Sequence, residues 1–130
     1  MANPNIVSVT SIYGGNAAWA LTNTVTTTLM TVAADVIVKI NSIIVTNIHA
    51  SNAATVSIDV NGMGSGTTGV TVASGLATCR LASTMNVPAD DSLVLIDKPI
   101  YLMEADVLRG GASAASTLEL FASYEVINDA

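Results

Sequence analysis

Charged side chains are scarce. Asp, Glu, Lys and Arg make up 11% of the 130 residues, against about 25% in an ordinary globular domain. Positive charge is the scarcest. The four cations are Lys39, Arg80, Lys98 and Arg109, they do not cluster, and the formal net charge is -6. Nucleic-acid binding depends on Lys and Arg neutralising phosphates, so no nucleic-acid partner is expected. Cysteine is nearly absent. The single Cys79 excludes an intrachain disulfide. The single His49 has no second His or Cys at ligand spacing, which argues against a zinc site. Aromatics are 4% of the chain, and Trp19 is the one tryptophan, so few flat platforms exist for stacking a sugar ring. Long apolar runs are missing too. The most apolar stretch, Val36 to Val45, is interrupted by Lys39, Asn41 and Ser42, whereas a membrane span needs about 20 mostly apolar residues. The mean hydropathy of +0.59 therefore does not come from a span, and no membrane partner is expected. The opening Met-Ala-Asn-Pro-Asn has neither a basic nor an apolar segment of the kind a signal peptide carries. Synthesis in a reducing cytoplasm is expected.

What fills the chain is Ala, Val, Thr, Ser, Asn and Gly. Hydroxyls and amides replace charges on the surface. Solvated charge keeps monomers apart, so a surface this weakly charged points to a protein covered by partners or by copies of itself. One domain over residues 1–130 is expected, large enough to bury a core without a disulfide or metal.

Thr, Val, Ile, Ser and Asn favour strands and turns over helix interiors, and no segment reads as a helix. The run Asn5 to Tyr13 is apolar on both faces and ends at Gly14-Gly15-Asn16, which reads as a turn. A second run spans Ala18 to Val32, with Thr22, Thr24, Thr26 and Thr28 at alternate positions. In a third, Val36 to Ile48, the inward parity switches from Val38 and Ile40 to Ile43 and Val45. That switch predicts a bulge at Asn41-Ser42. Ala54 to Asn61 alternates cleanly, with Val56, Ile58 and Val60 on one face. It reads as a half-buried antiparallel strand. Further strands are expected at Val70 to Ala73, Leu76 to Val87, Ser92 to Ile96, Ile100 to Met103, Val107 to Arg109 and Thr117 to Ile127. In the last of these Phe121 and Ile127 are apolar exceptions on an otherwise polar face. About eight short strands separated by turn residues predict an all-β antiparallel sandwich or jelly roll.

The chemistry-bearing residues are few. His49 sits beside a turn and has no catalytic partner in sequence. Cys79 lies on a strand without the electropositive setting that reactivity needs. Asp90-Asp91, and Glu104 with Asp106, read as turn residues whose carboxylates cap or solvate the turn. The loop 61–69, rich in glycine, lacks the Gly-Lys-Ser/Thr ending of a phosphate loop. Gly110-Gly111 reads as a positive-φ pair or a close backbone approach, and Arg109 reads as a partner for a carboxylate. No nucleophile–base–orienter set can be assembled, so no enzyme activity, cofactor or metal is expected.

Two stretches carry a resemblance. One is Lys98-Pro-Ile-Tyr-Leu-Met-Glu-Ala-Asp-Val-Leu-Arg-Gly-Gly through Leu118-Glu-Leu-Phe-Ala-Ser-Tyr-Glu-Val-Ile. The other is Ile43-Ile-Val-Thr-Asn-Ile-His-Ala-Ser-Asn-Ala-Ala-Thr-Val-Ser-Ile. Together they resemble small β-sandwich structural proteins of tailed bacteriophages, including those of cyanobacteria and marine bacteria. The resemblance implies a virion protein, foremost a capsid decoration (cement) protein on the head surface. Its implied partners are the major capsid protein and copies of itself, as a homotrimer. A tail, neck or fibre subunit is the alternative, and a carbohydrate-binding jelly roll a further one. Residues 1–13, apolar on both faces, would act as a subunit-exchanging arm. Ile6, Val7, Val9, Ile12 and Tyr13 are its candidate interface residues.

Overall fold

A computed structural model describes residues 11–63, 72–73 and 75–128. It contains nine strands: β1 (Ser11–Ala20), β2 (Thr28–Thr31), β3 (Val36–Asn47), β4 (Ala54–Asn61), β5 (Thr78–Val87), β6 (Ser92–Ile96), β7 (Ile100–Leu102), β8 (Val107–Ala112) and β9 (Leu118–Asn128). No helix occurs among the described residues.

The strands form two packed antiparallel sheets. One has the order β1-β9-β3-β6, and the other β2-β8-β4-β5. β7 also pairs with β3. It takes Val38 to Ile40, while β6 takes Ile43 to Thr46. β6 and β7 are thus one edge strand interrupted at Asp97-Lys98-Pro99, where proline has no N–H to give a ladder. Eight strand positions result, four to a sheet. Successive strands alternate between the sheets except at the β4–β5 hairpin. This alternation is that of a jelly roll.

The core forms where the alternating apolar faces meet. Val56, Ile58 and Val60 of β4 and Leu108 of β8 join Ile40, Ile43 and Val45 of β3 and Leu118, Leu120 and Ala122 of β9 in one buried cluster. The parity switch in β3 is a bulge. Ile40 faces Tyr124 and Ser42 faces Ser123, so Asn41 has no opposite number on β9. The extra residue turns Ile43 and Val45 back toward the core. Trp19 lies opposite Leu120 and packs, partly buried, against the same cluster.

Several elements differ from the sequence reading. Gly14-Gly15-Asn16 is not a turn, because β1 runs straight through it. Gly15 pairs with Tyr124, and a Cβ at Gly15 would stand 2.9 Å from the Tyr124 ring. The aromatic ring takes the space a side chain would have filled, so the glycine can stay in the strand. Ala18 to Val32 is not one strand. Its threonines form a loop in which Thr27 donates through its backbone N–H and hydroxyl to the Thr24 carbonyl, while Thr22 and Thr27 share a hydroxyl bond of 2.9 Å. Such local bonding competes with a strand ladder. The pair Gly110-Gly111 lies inside β8, and its role is close approach: a Cβ on Gly111 would be 2.5 Å from the Thr24 carbonyl oxygen. Of the strand expected at Val70 to Ala73, Val70 and Thr71 fall outside the described residues. Val72 and Ala73 are not in a strand.

Glu104 and Asp106 cap a turn, as the sequence allows, but their exposure departs from a polar surface turn. They are buried, at 0% and 5% exposure, and not solvated. The Met103–Asp106 turn docks on the segment after β2: Val32 N–H donates to the Asp106 carbonyl, and Ala105 N–H to that of Val32, both at 3.0 Å. Within this corner Glu104 Oε2 accepts from Asp35 N–H, and Asp106 Oδ2 from Met103 N–H, both at 2.9 Å. The carboxylates serve as caps for two backbone donors, which draws them inward.

Candidate functional site

The residues singled out for chemistry are occupied with structure. His49 Nδ1 accepts from the backbone N–H groups of Ser51 and Asn52 at 3.1 and 3.0 Å. The imidazole therefore closes the β3–β4 turn. Beneath it, Asn47 is 1% exposed. Its amide donates to the carbonyls of Asn52 and Val87, and its Oδ1 accepts from His49 N–H. Asp90 and Asp91 hold the β5–β6 turn as expected. Asp91 N–H donates to the Pro88 carbonyl, and Asp91 Oδ1 accepts from Ser92 N–H. Cys79 lies half-buried on β5 opposite Val60, a free thiol. Arg109 makes a two-pronged ion pair with Asp59, directly opposite on β4, at 2.8 and 2.9 Å. The hydrogen bond to Asp59 raises the pKa of the guanidinium further. Asp59 also faces Arg80 on β5, so three charges form one row on the outer face of the second sheet.

Glu104 Oε1 and Asp106 Oδ1 have no hydrogen-bond partner. Burial pushes the Asp106 pKa up, partly offset by the bond from Met103 N–H. Among the described residues no group of three or more His, Cys, Asp or Glu side chains could hold a metal ion, and no helix is long and apolar enough to cross a membrane.

The feature that chemistry does not explain is apolar. On the outer face of the first sheet, four strands place Ala18, Phe121, Ile44 and Val94 in register as one continuous row. Phe121 is 41% exposed and Val94 55%. Polar rows flank it. Glu119, Thr46 and Ser92 lie on one side, and Asn16, Ser123 and Ser42 on the other. An open depression of about 400 Å³ lies beside the β1, β9 and β3 part of the row, with Ala18, Ile44, Thr46, Glu119 and Phe121 in its lining and Val94 outside it. An aromatic anchor in an apolar strip with a polar rim is the anatomy of a protein–protein contact.

Of the interface residues expected from sequence, Ile6, Val7 and Val9 lie outside the described residues. Ile12 and Tyr13 begin β1 and are 58% and 60% exposed. Ile12 shares the outer face with Ala18 and sits beside Ile127, which in turn lies beside Ile37; both of these are buried. Tyr13 points to the opposite side of the sheet. Residues Ala18, Ile44 and Val94 were not legible as a site, because they come from distant segments. Phe121, the apolar exception on its strand, was the one visible sign.

Compared with family models, curated proteins and solved structures, the chain matches none.

Proposed function

We propose that this chain is a non-enzymatic structural protein whose work is to pack against other protein subunits. In its specific form the proposal is a virion component: a capsid decoration protein on the surface of a phage head, bridging neighbouring capsid subunits. The observation that carries the reading is the row Ala18, Phe121, Ile44 and Val94, open to solvent across four strands. Burying such a strip contributes about 25 cal/mol per Å² before the costs of association. The low charge, 11% of residues, fits the same role, since few ions must be stripped of water when the face is covered. The phage assignment itself is supported by the sequence resemblance alone.

The test is incorporation into particles. Phe121→Asp and Val94→Asp change exposed side chains, so the fold is expected to persist by circular dichroism. Each should lower the amount of the chain that co-purifies with particles by tenfold or more. Wild-type copy number in proportion to the shell subunit supports a head protein, whereas a small fixed number per particle indicates the tail or neck. Undiminished incorporation of both variants contradicts the docking face.

A further inference from the structure

A jelly roll of two open sheets has four edges, and three of these are blunted. β2 is four residues long, with a register shift. β5 carries two register shifts, a positive φ at Thr84 and the charge of Arg80. The β6–β7 edge is bulged at Leu95, since Ile43 faces Ile96 and Ile44 faces Val94, and it is broken at Pro99. Bulges, charges, prolines and short length are the devices that stop an edge from pairing with another chain.

β1 has none of them. It runs for ten residues, Ser-Ile-Tyr-Gly-Gly-Asn-Ala-Ala-Trp-Ala, without charge or proline. Its register with β9 is unbroken from Ser11 opposite Asn128 to Ala20 opposite Glu119. Among the described residues no strand pairs with its other side. Every second residue there offers an unused N–H and C=O to solvent. Another extended backbone can replace the solvent along the whole of such a row.

We propose that the occupant is β1 of a second copy of this chain, paired antiparallel about a twofold axis. Head-to-tail strand addition would need two open edges on each copy, and the described residues leave one. Two β1 edges meeting each other close the assembly at a dimer and leave no free edge for growth. The side-chain alternation sets the register. Core-facing residues of one copy must lie opposite core-facing residues of the other, so the axis passes through a residue and not between two. Centred on Asn16, the pairing places Trp19 of each copy opposite Tyr13 of the other, an aromatic cross-strand pair of the stabilising kind. That contact gives the 60%-exposed Tyr13 a partner. Ala18 then falls opposite the second copy's Gly14, whose Cβ position is unobstructed. The two sheets become one, with both Phe121 rows on the same side. The pairing is thus twofold, where the phage resemblance implies a threefold. It does not depend on which particle the chain serves, and its failure would leave the Phe121 face untouched.

Light scattering on the purified full chain, with the Asn16→Lys variant beside it, tests this. The wild type should have twice the chain mass of 13.2 kDa. Asn16→Lys sets two lysines face to face at the axis and should give a monomer with unchanged circular dichroism. Asn16→Cys in a Cys79→Ser background should link covalently under mild oxidation, since directly opposed residues lie about 4.5–5.5 Å apart. That crosslink carries the test if Asn16→Lys fails to fold. A monomeric or trimeric wild type, a dimer that survives Asn16→Lys, or an Asn16→Cys protein that stays unlinked overturns the proposal.

Discussion

The ring of Tyr124 lies over Gly15 so closely that a Cβ on the glycine would meet Cε2 at 2.9 Å, while the neighbouring Gly14 has open space at the same position. Two adjacent glycines in one strand therefore differ in what they can accept. Gly15→Ala must displace the ring and should cost about 1 kcal/mol, at the low end of overpacking. Gly14→Ala should raise stability by about 0.5–1 kcal/mol by removing glycine's excess freedom in the unfolded chain. Chemical denaturation of the two variants checks the opposite signs.

Asn47 makes three hydrogen bonds from a site that is 1% exposed. Asn47→Ala would strand the Val87 carbonyl and loosen the His49 turn. The expected loss is about 2–3 kcal/mol, set by buried groups left without partners. His49→Ala, which removes exposed bonds to Ser51 and Asn52, should cost about 1 kcal/mol or less. A larger loss for His49→Ala than for Asn47→Ala would contradict this ranking.

Asp106 gives the fold a pH dependence of definite sign. Burial raises its pKa in the folded chain above the ordinary 3.8. The folded state then holds the proton more tightly than the unfolded state. The contribution is fully present below about pH 3.8 and is lost as pH rises through the raised folded-state value. Asp106→Asn keeps an oxygen for Met103 N–H and removes the charge. It should stabilise the protein at pH 7 and make little difference at pH 3. Urea midpoints of both proteins at the two pH values provide the check, and a variant weaker at pH 7 contradicts it.

The Asp59–Arg109 pair is largely shielded, with side-chain exposures of 13% and 20%, and its contact is two-pronged. A double-mutant cycle with Asp59→Asn and Arg109→Met should give a favourable coupling that shrinks in high salt. Arg109→Lys loses the fork geometry and should recover only part of it.

Much of the fold was legible where burial acts through local alternation. β4 spans the residues that its pattern marks, and the parity switch in β3 located the bulge at Asn41. Reading failed where a distant residue overrides local chemistry. Gly14-Gly15 looks like a turn until Tyr124, far along the chain, is laid beside it. Glu104 and Asp106 look like part of a polar surface turn until Asp35 and Met103 present N–H groups to be capped. The candidate site was the least legible part. Its row draws one residue from each of β1, β9, β3 and β6, and strand order is not written in any one segment.

The most direct measurement is electron microscopy of the assembled particle at side-chain resolution. Phe121, Ile44 and Val94 should be buried against a neighbouring protein subunit, with the charged row of Asp59 and Arg109 on the opposite face left to solvent. A map in which the Phe121 face is bare and the Asp59 face is covered, or in which the chain is not a stoichiometric part of any particle, would contradict the account.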